Sequence, residues 1–371
     1  MNRRIILVLI GIIAIGCAAL YAIQRSPLLL LRPPADERIA FVSDSGVRHG
    51  GPDIWTMRTD GSNAVQVTND SADDCLPAWS PDARELASTS DRREGRYQVF
   101  VSAWNGSYTH CLTISEGTKD MPVWSADGKE ITFISSGRVH AVRRHGGREE
   151  QYLPPPNVPE EEKMAGGLNL PYVYAAWSPD RKALLFVQET DLGRAAAVVE
   201  SDGLTNEEVF QPFGITIARG LDAAWAPSGQ RVAAGFINRR GESGLLVADL
   251  EAVQARNLFI HKGDGKGAAK PTWSPDGKRI AFEMWTIKDG VQDRRLGIYV
   301  ISASGGKAAP VISGNAREPS WSPDGKRLVC AVVREDGGRD IWRVNADGSG
   351  AVNLTKGRGD NYNPVWSPAL R

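Results

Sequence analysis

The fragment Trp-Ser-Pro-Asp-Gly-Lys, or a worn copy of it, recurs along this chain. It reads WSPDAR from Trp79, WSADGK from Trp124, WSPDRK from Trp177 and WAPSGQ from Trp225; it reads WSPDGK from Trp273 and again from Trp321, and WSPALR from Trp366. The tryptophans are 45, 53, 48, 48, 48 and 45 residues apart. A fixed period in this range means a repeat architecture, in which each unit buries its apolar surface only against its neighbours.

Each period reads as four short strands. In the copy at Trp273, Pro275-Asp-Gly-Lys is a tight turn, because proline presets φ and glycine accepts a positive one. Arg279-Ile-Ala-Phe-Glu comes next as a second strand, Leu296-Gly-Ile-Tyr-Val-Ile as a third and Ala308-Ala-Pro-Val-Ile as a fourth. Asp53-Ile-Trp and Asp340-Ile-Trp mark other third strands, each leading into an Asp-Gly-Ser turn. In Ile280-Ala-Phe, Ile131-Thr-Phe and Ile39-Ala-Phe the second strands lack the apolar–polar alternation of a strand with one wet face. Sheets stacked side by side around a ring bury both faces, so the reading is all-β: a seven-bladed β-propeller of four-stranded antiparallel blades over residues 36–371. The segment from Trp366 supplies a first strand without a second, and the segment from Arg38 a second without a first. The C-terminal strand is therefore expected to close the ring, which leaves no long free sheet edge.

Ahead of the repeats, residues 1–24 combine Arg3 and Arg4 with an uncharged apolar stretch over residues 5–23. That is long enough for a membrane-spanning or signal helix, and the basic flank favours export of the C-terminal domain. Gly16-Cys17 also fits a lipoprotein cleavage site, so anchoring and lipidation both stay open. Residues 25–35, with Pro27, Pro33 and Pro34, read as a tether. The expected location is membrane-anchored, with the propeller on the periplasmic or extracellular side. The whole chain has 44 basic and 44 acidic side chains; without the four arginines of the first 35 residues, 40 basic groups face 44 acidic ones. That balance gives no basic face for nucleic acid. Cys75, Cys111 and Cys330 lack the paired short spacings of a zinc site, and strand order separates Cys75 from Cys111, which favours free thiols.

Strand order also sorts the loops. The Pro-Asp-Gly and Asp-Gly-Ser turns share one side of the disc, and the loops of variable length share the other, where binding concentrates on a rigid scaffold. Asp74, Asp120, Tyr174, Asp222, Lys270, Glu318 and Asn363 are expected to ring the central channel on that side. Residues 285–295 read as a long loop carrying Trp285 as an exposed contact, with Arg294 and Arg295 as donor forks for carboxylates. Residues 154–167 read as a flap on the same face. No Gly-x-Ser-x-Gly elbow, phosphate-binding glycine loop or calcium loop occurs. The expected function is a non-catalytic scaffold, without a cofactor, for a protein or peptide partner.

The repeats WSPDGKRIAF at Trp273 and NADGSGAVNLT at Asn345 resemble those of TolB-type propellers, over residues 38–371. The same motif occurs in the propeller domains of prolyl-oligopeptidase-like enzymes, where the propeller gates a separate catalytic domain, and in oligogalacturonate lyases. The resemblance implies the propeller fold and, for TolB itself, binding of a lipoprotein partner. The lyase branch supplies a second reading, a carbohydrate-active or glycan-binding propeller, which would require His49 and His261 to converge with carboxylates.

Overall fold

The computed structural model describes residues 31–45, 50–153, 171–190, 193–200, 216–217, 223–237, 242–252, 254–262, 265–288 and 291–369. The strands of these residues form seven antiparallel sheets, each of four strands. In each sheet one strand that ends at a repeat tryptophan lies at one edge, and the chain steps outward from it. These edge strands are Asp74–Trp79, Lys119–Trp124, Tyr172–Trp177, Ala223–Trp225, Lys266–Trp273, Ala316–Trp321 and Asn361–Trp366. Each sheet packs on the next, and the sheet holding Ala316–Trp321 packs on the one holding Asn361–Trp366. Among the described residues no helix is long and apolar enough to cross a membrane. The anchor expected over residues 1–24 and the flap over residues 154–167 lie outside the described residues.

The repeat motif is a packing device. The indole Nε1–H of Trp124 donates to the carbonyl of Ala78 (3.0 Å), one residue before the tryptophan of the preceding sheet. Trp79 does the same to Val365, Trp225 to Ala176, Trp273 to Ala224 and Trp321 to Thr272. At these five junctions a large apolar ring fills the gap between sheets while its one polar atom is satisfied; Trp366 donates instead to Glu37 (3.3 Å), and the buried Trp177 Nε1–H has no partner among the described residues. The tryptophans at these junctions are inter-sheet spacers.

The turn after each tryptophan is equally regular. The hydroxyls of Ser80, Ser125, Ser178, Ser274 and Ser322 donate to the aspartates two residues on, at 2.5–2.7 Å. Each hydroxyl also accepts the backbone N–H five residues on, as from Glu85 and Arg279. In the last copy Ser367 accepts the N–H of Arg38 (3.0 Å), and its own N–H donates to the Arg38 carbonyl (2.8 Å). The same two bonds that join residues five apart elsewhere here join residues from opposite ends of the chain. Asn361–Trp366 pairs antiparallel with Arg38–Ser43, whose six residues are all buried.

These aspartates bear on acid stability. The serine hydroxyl, then the Lys182 and Lys278 backbone amides, hold Asp180 and Asp276 below the usual carboxylate range. At Asp127 burial acts upward, but Ser125, the Lys129 amide and Arg181 outweigh it and bring the carboxyl to about 2. A carboxyl with a folded pKa below its unfolded one stabilises above the unfolded value and loses that contribution as pH falls through the folded one. Asp53 works the other way: burial first, then the nearby Asp74 charge, lifts it to about 6 against hydrogen bonds from Gln66 and Thr68. Its cost is relieved as pH falls from about 6 toward the unfolded value of about 4. The thermal midpoint is therefore expected to rise slightly across that window and to drop between about 4 and about 2. Melting curves against pH check this, and Asp53→Asn should flatten the rise while keeping the acid drop.

Two expectations from sequence change. Residues 285–288 and 291–295 are strand, not loop: Arg279–Lys288 and Val291–Ser302 are paired strands, with Lys288 opposite Val291. The β-branched Thr286 and Ile287 keep the chain extended, and Asp289-Gly290 between them and Val291 is a hairpin signal. Part of the expected tether also packs inward: Leu31 and Pro34 are buried, and Trp104 Nε1–H donates to the Arg32 carbonyl (2.9 Å). The thiols of Cys75, Cys111 and Cys330 are free.

Candidate functional site

Every described innermost strand except the short Ala223–Trp225 breaks register just before its tryptophan: three residues ahead of it in five sheets, and at Val173, beside Tyr174, in the fourth. The shift lies between Cys75 and Ala78, Asp120 and Val123, Tyr172 and Tyr174, Ala269 and Thr272, and Arg317 and Ser320. The strand at Asn361–Trp366 shifts against its partner between Ala40 and Val42. In five copies the displaced residue precedes proline and has a positive φ: Leu76, Met121, Lys270, Glu318 and Asn363, at 47–60°. Proline disfavours the helical region for the residue before it, and the bulge leaves that residue unpaired. Left-handed backbone is uncommon for side chains other than glycine, asparagine and aspartate, so a repeated instance marks a built feature.

The bulges line one cavity. Leu76, Met121, Tyr174, Lys270, Glu318 and Asn363 face a central space of about 410 Å³, with the adjoining prolines or alanine and Ala223 completing the wall. This cavity, called the channel below, is amphipathic. Leu76, Met121 and Tyr174 form an apolar arc, where burial lifts the Tyr174 phenol to about 12. The opposite arc is polar. Lys270 Nζ lies 3.9 Å from Glu318 Oε1, the Asn363 backbone N–H donates to Glu318 Oε2 (2.7 Å), and the Asn363 side-chain amide can donate to both Glu318 oxygens at 3.1 Å.

Tyr174, Lys270, Glu318 and Asn363 thus line this cavity. Asp74 and Asp120 do not. The register-equivalent residues in their sheets are Leu76 and Met121, because the bulge falls three residues before the tryptophan whatever charge lies further upstream. Asp74 is fully buried and takes both bonds from Arg92 Nη2 at 2.8 and 3.0 Å. Burial is the main cause that raises its carboxyl above the usual range, partly opposed by Ser90 and Arg92. It is a structural anchor for the second sheet. Asp120 is exposed and caps the Met121 N–H (2.8 Å). Asp222 lies outside the described residues.

Outside the channel, a polar chain runs to the variable rim. Glu283, on the second strand of the sixth sheet, is 1% exposed. Its Oε1 accepts the N–H of Glu318 (2.9 Å) and its Oε2 accepts Arg295 Nε (3.0 Å). Arg295 in turn covers the ring of Trp285 (4.2 Å) and donates to Asn315 (2.9 Å). Trp285 is therefore half-buried beneath an arginine, not a freely exposed contact. On the neighbouring sheet Arg339 pairs with Asp360 and covers the ring of Tyr362. Glu283 and Arg317 are site residues that repeat spacing does not single out. For Glu283 the signal is present: an acid directly after the apolar run Ile280-Ala-Phe.

Among the described residues no group of three or more histidine, cysteine, aspartate and glutamate side chains could hold a metal ion. His261 packs on Phe259, and His49 lies outside the described residues.

The family model of the TolB β-propeller domain matches residues 32–216. No curated protein matches the chain significantly. Among solved structures, TolB from Acinetobacter baumannii is 20% identical with a TM-score of 0.55, covering 91% of this chain and 68% of that one. A functionally unknown protein from Desulfotomaculum acetoxidans is 13% identical with a TM-score of 0.56, covering 90% of this chain and 99% of that one. A puromycin-hydrolyzing peptidase from Mycobacterium tuberculosis is 14% identical with a TM-score of 0.51, covering 76% of this chain and 52% of that one. At these identities the likeness is one of fold.

Proposed function

We propose that this chain, a β-propeller of the TolB-type repeat family, is a non-catalytic scaffold that binds a protein or peptide partner on its variable face. In this reading the seven sheets are the blades of a closed ring. Residues 1–24 hold it to a membrane with the propeller on the exported side. The observation that carries the reading is the channel mouth. Six bulged strands present six different side chains to one cavity, apolar on one arc and charged on the other. The backbone device is repeated and the side chains are not, which is how a rigid frame is adapted to one ligand. The cavity has the volume of a pocket for a few side chains, within the ~300–1,000 Å³ usual for such sites. A peptide segment entering it would set apolar groups against Leu76 and Met121 and donors against Glu318.

Capture from detergent-solubilised membranes, read by mass spectrometry, tests this. Met121→Lys should reduce recovery of the partner about tenfold or more, since it desolvates a charge against the apolar arc. It should fold normally, because Lys270 occupies the equivalent bulge with the same backbone. Lys278→Glu on the opposite face should leave recovery unchanged. Equal recovery with all three proteins, or no partner with any, refutes the proposal.

A further inference from the structure

We propose that the rim pocket between the sixth and seventh sheets is a carboxylate-recognition site for an acidic peptide segment. The inference rests on the scaffold reading above and specifies its partner's chemistry. The pocket encloses about 470 Å³ and is lined by Trp285, Asp293, Arg294, Arg295, Gly314, Asn315 and Arg317. Three guanidinium groups thus share it with one lining carboxylate. Arg295 is neutralised by Glu283, and Asp293 already accepts from Thr286 (3.3 Å). Arg294 and Arg317 form no ion pair with any described residue; Arg317 makes only a 3.4 Å bond to the Asn315 oxygen, which Arg295 also uses.

Two donors in this wall find no acceptor. Arg317 Nε and Trp285 Nε1 are both buried and unpartnered among the described residues. A buried donor without an acceptor carries a desolvation cost of about 1–3 kcal/mol, more when charged. A ligand that supplies acceptors recovers that cost on binding. A carboxylate fits because its two oxygens match the guanidinium fork, and charge-assisted bonds of this kind are about twice as strong as neutral ones. Asp293 limits the pocket's positive charge, which favours a monoanion over a doubly charged phosphate. Placement favours a peptide: Arg317 immediately precedes Glu318 of the channel, so one extended segment can reach both.

Fluorescence anisotropy with an end-blocked tetraglutamate peptide and its tetraglutamine counterpart, on the full chain, is the test. Tetraglutamate should bind, tetraglutamine should not, and added salt should weaken the complex. Arg317→Met and Arg294→Met should each weaken tetraglutamate binding roughly tenfold or more, from the loss of a charge-assisted bond. Trp285→Phe, which removes only the indole N–H and some area, should weaken it severalfold. Lys278→Glu, on the opposite face, should not weaken it. Equal binding of the two peptides, indifference to Arg317→Met and Arg294→Met together, or displacement of the peptide by equimolar inorganic phosphate would overturn the assignment. The two proposals fail separately. Tetraglutamate binding with no partner recovered from membranes sinks the scaffold reading alone, and partner recovery unaffected by Arg317→Met sinks the pocket alone.

Discussion

A chain lacking residues 361–371 loses the cooperative unfolding transition of the parent protein. The segment is the innermost strand of a sheet whose other three strands come from the opposite end of the chain. Its Trp366 is 4% exposed and packs with Ile39, Phe41, Met57, Val329, Ala331 and Ile341, residues of two different sheets. Deleting a buried tryptophan side chain alone costs about 3–5 kcal/mol. The deletion also strips Arg38–Ser43 of its ladder on one side, leaving buried amides and carbonyls unpaired. Against a total stability of about 5–15 kcal/mol, these losses together consume most of what holds the fold. Calorimetry should show no transition at the parent midpoint, and hydrogen exchange should show protection lost first in the sheets on either side of the gap. The excised segment added in excess as a peptide should restore part of the transition, by mass action. A truncated chain melting as the parent does would mean that this strand pairing adds nothing to the fold.

Much of this architecture is legible in the sequence because one local device is copied seven times in the chain. In five of the copies a serine bonds the aspartate two residues on and the amide five residues on, which needs no tertiary context, so each of these announces its turn and the strand after it. The tryptophan before it announces the sheet junction. The channel is only partly legible. Lys270, Glu318 and Asn363 stand directly before proline, which cannot donate to the ladder and marks the place where the register breaks. Leu76 and Met121 stand in the same place, but a search for polar residues passes over them to Asp74 and Asp120. The rim is less legible still. Trp285, Arg294 and Arg295 read as a loop because charged residues cluster there, whereas cross-strand pairing extends the hairpin and folds Arg295 down onto Trp285. That geometry depends on Glu283, on the strand paired with that of Arg295, and on Asn315, in the connection to the next sheet. No local pattern encodes such a pairing.

Glu283→Met is the single substitution expected to injure both the fold and the site. Glu283 accepts from Arg295 on one side and from the backbone of Glu318 on the other, in a nearly dry position. Removing it leaves a largely buried guanidinium uncompensated, which costs about 3–5 kcal/mol when a buried pair is broken. It also orphans the Glu318 N–H, whose left-handed backbone points it at this acceptor. Because Glu318 organises Asn363 and faces Lys270, the polar arc of the channel should loosen even in molecules that stay folded. The double variant Glu283→Met, Arg295→Met separates the two effects. Replacing both members of a buried pair with apolar groups of similar size is often nearly neutral, so stability should return to within about 1–3 kcal/mol of the parent, the remainder being the orphaned amide. Partner capture through the channel should not return, since the Glu318 backbone still lacks its anchor. Denaturant unfolding of the parent, both single variants and the double gives the coupling energy directly. A coupling near zero would mean that Glu283 and Arg295 do not stabilise each other, and capture restored in the double variant would separate the channel from the rim.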